Sequence, residues 1–97
     1  MATYFALVTF TDQGLRSVKD TVKRADAAKE LASRFGVQMT GIHWTLGNFD
    51  LVVQCESQDE ASITAFNLAL CSAGNVRTQT LRAFSRDEMA KVLGKLP

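Results

Sequence analysis

The stretch VQMTGIHWTLGNFDLVVQCE, residues 37–56, decides the architecture of this 97-residue chain. Two apolar, β-branched and aromatic runs, 37–46 and 51–56, flank Gly47-Asn48-Phe49-Asp50, which reads as the loop of a β-hairpin. With that even-numbered loop, Leu46 faces Leu51, Trp44 faces Val53 and Ile42 faces Cys55, because antiparallel partners share one face of a sheet. The resulting face is wholly apolar. The opposite face collects Gly41, His43 and Thr45 with Val52, Gln54 and Glu56. A slip of one residue would mix the two sets, so the hydrophobic pattern specifies the side each residue takes.

The flanking sequence extends the pattern in both directions. Upstream, TYFALVTF (3–10) predicts a strand that ends at the polar cluster Thr11-Asp12-Gln13-Gly14. From Val18 the spacing turns helical, with Val18, Val22, Ala25, Ala28, Leu31, Ala32 and Phe35 on one side and Gly36 as the C′ stop. Asp20 or Thr21 caps the helix. Downstream, Ser57-Gln58-Asp59-Glu60 has the form of a capping box. It opens a second helix with Ile63, Phe66, Leu70 and Ala73 inward and Gly74 as its end. VRTQTLRAF (76–84) is the last strand, and Ser85-Arg86-Asp87-Glu88 repeats the capping-box form ahead of a short helix carrying Met89, Val92, Leu93 and Leu96. The order strand-helix-strand-strand-helix-strand predicts a single α+β domain spanning 1–97. Its fold is ferredoxin-like βαββαβ with antiparallel sheet order 4-1-3-2 and an extra C-terminal helix.

The apolar hairpin face belongs under the two long helices. The first strand adds a second requirement, because both of its alternate sets are apolar, Phe5 with Leu7 and Tyr4 with Ala6, Val8 and Phe10. Water on one side of such a strand is costly. A short terminal helix is too small to cover four strands, so the sequence predicts a homo-oligomer that meets through the helix-free face. Tyr4, Val8, His43 and Gln54 are the candidate interface residues. A domain this small buries only about two thirds of the surface its unfolded chain exposes, so a partner copy would add useful burial.

Composition narrows the function classes. Eleven basic and ten acidic residues leave a net charge of +1, which gives no global field toward nucleic acid or an anionic membrane. Cys55 and Cys71 sit in apolar segments without zinc or redox spacing and read as reduced thiols. His43 is the single histidine and lacks a ligand set around it, so no metal is expected. No nucleophile elbow, phosphate-binding glycine loop or cofactor motif is present, and no cofactor is expected. The N-terminus enters a strand without a basic n-region, and no apolar run approaches a membrane span of about 20 residues. A cytoplasmic location is the expectation.

In the antiparallel order, three irregular segments fall side by side at one sheet edge: Thr11-Asp12-Gln13-Gly14, Gly47-Asn48-Phe49-Asp50 and Gly74-Asn75-Val76-Arg77. The first long helix opens at the same edge with Arg16, Lys19, Lys23 and Arg24. Helix amides and basic side chains together favour an anion, and the candidate ligand-binding residues are Gln13, Lys19, Arg24, Asp50, Asn75 and Arg77. Each has a plainer alternative. Asp50 is placed to bond its own loop backbone, Asn75 and Arg77 to tie loops or subunits, and Lys19, Lys23 and Arg24 to form a solvated helix face.

The same segments carry a resemblance. Thr11 to Leu15 with Lys19-Asp20, Trp44 to Asp50, and Gly74 to Thr78 with Leu81 to Phe84 resemble, in order and over nearly the whole chain, the GYD domain family of small bacterial and archaeal proteins. The resemblance implies a ferredoxin-like domain of the dimeric α/β-barrel type, from a family without an assigned function. The eponymous Gly-Tyr-Asp is here Gly47-Asn48-Phe49-Asp50, without the phenol hydroxyl. Val22 stands where family members often carry proline.

Two functional readings follow. The first is a self-associating binding module that holds a small anionic metabolite at the loop edge. The alternative, by fold analogy alone, is a cofactor-independent monooxygenase or isomerase using His43, Trp44, Asp50 or Arg77. A ligand-sensing regulator would need a separate DNA-binding partner.

Overall fold

A computed structural model describes residues 1–97. The elements are β1 (Ala2–Phe10), α1 (Asp12–Arg16), a 3₁₀ turn (Val18–Asp20), α2 (Thr21–Arg34), β2 (Gln38–Trp44), β3 (Leu51–Ser57), α3 (Glu60–Ser72), β4 (Val76–Ala83) and α4 (Arg86–Leu93). The four strands form one antiparallel sheet in the order β2-β3-β1-β4, the predicted ferredoxin-like order read from the other edge.

The core lies between one sheet face and the helices α2 and α3. It joins Tyr4, Ala6 and Val8 of β1 to Leu51, Val53 and Cys55 of β3, and to Ala32, Val37, Ile63 and Phe66. Phe66 is 2% exposed and packs a tilted ring 6.4 Å from Phe35. The hairpin keeps the predicted sides with a different register. Trp44 pairs with Leu51 and Ile42 with Val53, two positions from expectation, and residues 45–50 form the connection. A shift of two preserves parity, so the apolar set stays under the helices. Leu46 is the exception: it leaves the ladder and is fully exposed. A bulge at Thr40 lets Met39 pair with Cys55 and take the remaining place on the core side.

Other expectations are corrected by the structure. Tyr4 and Val8 are not on the helix-free face; they pair with Cys55 and Leu51 and are buried under the helices. The outward set of β1 is Phe5 and Leu7, opposite Gln54 and Val52 on one side and Leu81 and Gln79 on the other. Val18 and Val22 are exposed, because the chain first turns through α1 and the 3₁₀ turn, and α2 faces the sheet only from about Ala25 onward. Trp44 is 44% exposed on edge strand β2, its indole N–H donating to Thr21 Oγ1 at 3.1 Å. The cap of α3 is Asp59, whose carboxylate accepts from the Ser62 amide, whereas Ser57 is buried and donates to the Asp59 carbonyl. The predicted capping box of α4 is present, with Ser85 accepting from the Glu88 amide and Glu88 accepting from the Ser85 amide.

Candidate functional site

The loop edge is an interlock of hydrogen bonds. Thr11 caps α1 by accepting from the Gly14 amide, and its hydroxyl donates to the Gly74 carbonyl. The Thr11 amide donates to the Asn75 carbonyl at 3.0 Å. Gln13 Nε2 donates to the Ala73 carbonyl and to Asn75 Oδ1, both at 3.0 Å. The Asn75 carbonyl comes so close to α1 that a Cβ on Gly14 would lie 2.1 Å from its oxygen, so position 14 admits no side chain without backbone movement.

Asp50 extends the strand ladder beyond its last pair. Its amide donates to the Val8 carbonyl, and its carboxylate accepts from the Phe10 amide at 2.8 Å. Thr45 closes the hairpin loop by donating from its amide to the Asp50 carbonyl and from its hydroxyl to the Phe49 carbonyl. Arg24 reaches back from α2. Its Nη1 donates to the Ser17 carbonyl at 2.9 Å and to Ser17 Oγ at 2.7 Å, its Nη2 donates to the Gly14 carbonyl at 3.1 Å, and the guanidinium sits 5.8 Å from the Phe10 ring.

The six residues predicted to bind a ligand therefore separate. Gln13 and Asn75 are joined to each other, and Arg24 and Asp50 tie the loops to the body. Lys19 is exposed on the 3₁₀ turn. Arg77 pairs with Thr9 and so points to the opposite, helix-free face. His43 lies on that face too, opposite Val52, so the four residues named for enzymatic chemistry do not converge. No cluster of three or more His, Cys, Asp or Glu side chains is arranged to hold a metal ion. Cys55 is buried and Cys71 half-buried, both free thiols. Burial pushes the Cys55 thiol up to about 11, which keeps it protonated and unreactive.

Between α2 and α3, above the sheet, lies a cavity of about 260 Å³. Alanines on both helices, among them Ala25 and Ala28 of α2 and Ala69 of α3, with Ala73 just past the end of α3, leave the space unfilled, and its polar lining is confined to Thr21, Arg24, Asn67 and Asn75.

The helix-free face is different in kind. Phe5 and Leu7 of β1, Val52 of β3 and Leu81 of β4 form its centre, with His43, Gln54, Glu56, Arg77 and Gln79 around them. No residue of α4 is buried, and Met89, Val92, Leu93 and Leu96 are exposed. The terminal helix does not cover the sheet. Its root is nonetheless fixed by Arg82, which sequence reasoning passed over. Arg82 Nη2 pairs with Glu88 at 3.1 Å, Nη1 donates to the Ala83 carbonyl, and the guanidinium sits 4.5 Å from the Phe84 ring. The signal was a long basic side chain at an inward position of β4, opposite Tyr4. The Ser85 amide and then Arg82 hold the Glu88 carboxyl below its ordinary range. The Cα radius of gyration is 14.6 Å, against about 12.5 Å for a compact chain of this length. The molecule measures 52 Å along its longest axis and 18 Å along its shortest.

The GYD domain model matches residues 4–93. The chain belongs to the GYD domain family. Among curated relatives, a Thermus thermophilus protein named glutamine synthetase and cystathionine beta-lyase binding protein is 36% identical over 84 residues, covering 86% of this chain and 88% of the relative. Two solved structures share the fold of this GYD domain. The leucine response regulatory protein LrpA of Mycobacterium tuberculosis superposes with a TM-score of 0.65 at 14% identity over 87% of this chain, which spans about half (51%) of the regulator. TTHA0845 of Thermus thermophilus superposes with a TM-score of 0.58 at 24% identity over 88% of this chain and 95% of its own. No helix of the GYD domain is long and apolar enough to cross a membrane.

Proposed function

We propose that this GYD domain is a self-associating protein-binding module whose helix-free sheet face meets the same face of a second copy. The observation that carries the reading is the apolar centre Phe5, Leu7, Val52 and Leu81, only partly covered, beside a terminal helix with no buried residue and with Met89, Val92 and Leu93 exposed. Strands about 4.8 Å apart with a rise of about 3.3 Å per residue give a four-stranded face of roughly 500 Å² in projection. That falls short of the roughly 800 Å² per partner of a standard interface. The uncovered side of α4 supplies the remainder when it reaches across to the other copy. An eight-residue helix is also too short to be stable alone in water, so a partner explains both its sequence pattern and its capping.

The relative's name extends the reading to other proteins. Glutamine synthetase and cystathionine β-lyase are the first partners to test. Once two sheets have met, Leu15, Val18, Val22, Trp44 and Leu46 remain as exposed apolar side chains toward the loop edge, available to such a partner.

Size-exclusion chromatography with light scattering tests the assembly, with an expected mass twice the 10.6 kDa of one chain. A single-chain mass maintained at 100 μM would contradict it. Surface plasmon resonance with purified glutamine synthetase tests the partner. Saturable binding, weakened at least tenfold by the W44A/L46A pair, is expected; equal binding by both forms would move the partner surface elsewhere.

A further inference from the structure

We infer that the cavity between α2 and α3 binds an apolar monocarboxylate of about ten heavy atoms, with its carboxylate on Arg24. The size follows from volume. A dry apolar cavity of about 150 Å³ accepts benzene, six heavy atoms, and about 260 Å³ scales to roughly ten. The walls are apolar apart from four residues, so the body of the ligand must be hydrocarbon.

The head group follows from Arg24. Arg24 is half-buried and lines the cavity, yet the chain's one ion pair is Arg82–Glu88, leaving Arg24 without a counter-ion. Its acceptors are neutral oxygens of Ser17 and Gly14. A guanidinium carries five N–H donors. The three hydrogen bonds use Nη1 and half of Nη2, and leave Nε–H with the other Nη2–H, adjacent donors that match the fork of a carboxylate. Asn75 also lines the cavity. Its Oδ1 accepts from Gln13, so its amide nitrogen remains to donate to the same carboxylate. One guanidinium and one amide suit a single negative charge, whereas a phosphate dianion would leave charge unmatched among apolar walls. Thus the anion site expected on the loop edge is placed one layer deeper, where Arg24 and Asn75 meet apolar space.

Titration with octanoate, 1-octanol and inorganic phosphate, followed by methyl ¹H–¹³C spectra of the full chain, tests this. Octanoate is expected to saturate with shifts at Ala28, Val53 and Ala69, to bind at least tenfold tighter than 1-octanol, and phosphate to shift none of these methyls. Arg24→Met should erase the octanoate preference while 1-octanol still binds, and the cavity-filling Ala28→Leu should block both. If Arg24→Met fails to fold, the wild-type ratio and methyl map decide the matter. Equal binding of octanoate and 1-octanol, or shifts confined to Met89, Val92 and Leu93 of α4, would overturn the proposal.

Discussion

The two faces of the sheet are built from the same strands and have opposite fates. On one, Tyr4, Ala6, Val8, Leu51, Val53 and Cys55 are buried beneath α2 and α3. On the other, Phe5, Leu7, Val52 and Leu81 are equally apolar and stay partly open, with Leu81 50% exposed. Under the proposed function, the difference separates what the chain does for itself from what it leaves for another molecule. Apolar side chains needed only for folding are covered within 97 residues. The second set runs across β3, β1 and β4, and the proposed self-association would bury it between chains.

Substitutions on the two faces should therefore fail differently. The largest effect is expected beneath the helices, where Phe66→Ala removes the α3 ring packed on the covered face and leaves a cavity worth about 3–5 kcal/mol of stability. Denaturant titration should show that loss at every protein concentration. Next comes the open face. Leu7→Glu should keep the fold, with an unchanged circular dichroism spectrum, yet weaken association by about 2–4 kcal/mol, roughly 30- to 1,000-fold in Kd by sedimentation equilibrium. A Leu7→Glu chain that unfolds would show that Leu7 belongs to the core.

The loop edge supplies a control. Gly14→Ala places a Cβ 2.1 Å from the Asn75 oxygen, and the forced shift should cost about 1–3 kcal/mol in thermal or chemical unfolding. Assembly of the folded fraction should be unaffected.

The smallest expected effect is a pH dependence at the root of α4. The Glu88 pKa is lowered by the Ser85 amide and by Arg82. A depressed carboxylate stabilises the folded form fully above its unfolded pKa and loses that contribution as pH falls through the folded one. Protection of the α4 amides, taken relative to their intrinsic exchange rates, should fall on acidification below the ordinary glutamate range, and Glu88→Gln should flatten that response.

The sequence revealed the fold because its levels agree. The hairpin alternation, the helical spacing of Ala28, Leu31, Ala32 and Phe35, and the Ser85–Glu88 capping box each lead to the element observed. The phase of β1 was not legible. Both of its alternate sets are apolar, so only pairing with β3 reveals that Tyr4 and Val8 turn inward while Phe5 and Leu7 turn outward. The α3 cap was ambiguous for a similar reason, since Ser57 and Asp59 are both good capping residues and the strand continues through Ser57.

The candidate site was legible as a place more than as a set of contacts. Sheet order brings the three loops together, but the bonds linking Gln13 to Asn75 and Arg24 to Ser17 depend on how α1 folds against residues 73–75. The cavity was invisible because it arises from alanines on two helices that the sheet holds apart. Arg82 was missed because its role joins a strand, an aromatic ring and the next helix.

The most direct test of the account is which face meets which. In a mixture of ¹³C-labelled and unlabelled chains, isotope-filtered spectra should give contacts between copies at Phe5, Leu7, Val52 and Leu81, with Val92 and Leu93 joining them. Inter-copy contacts confined to Val22, Trp44 and Leu46, or none at 1 mM, would contradict it.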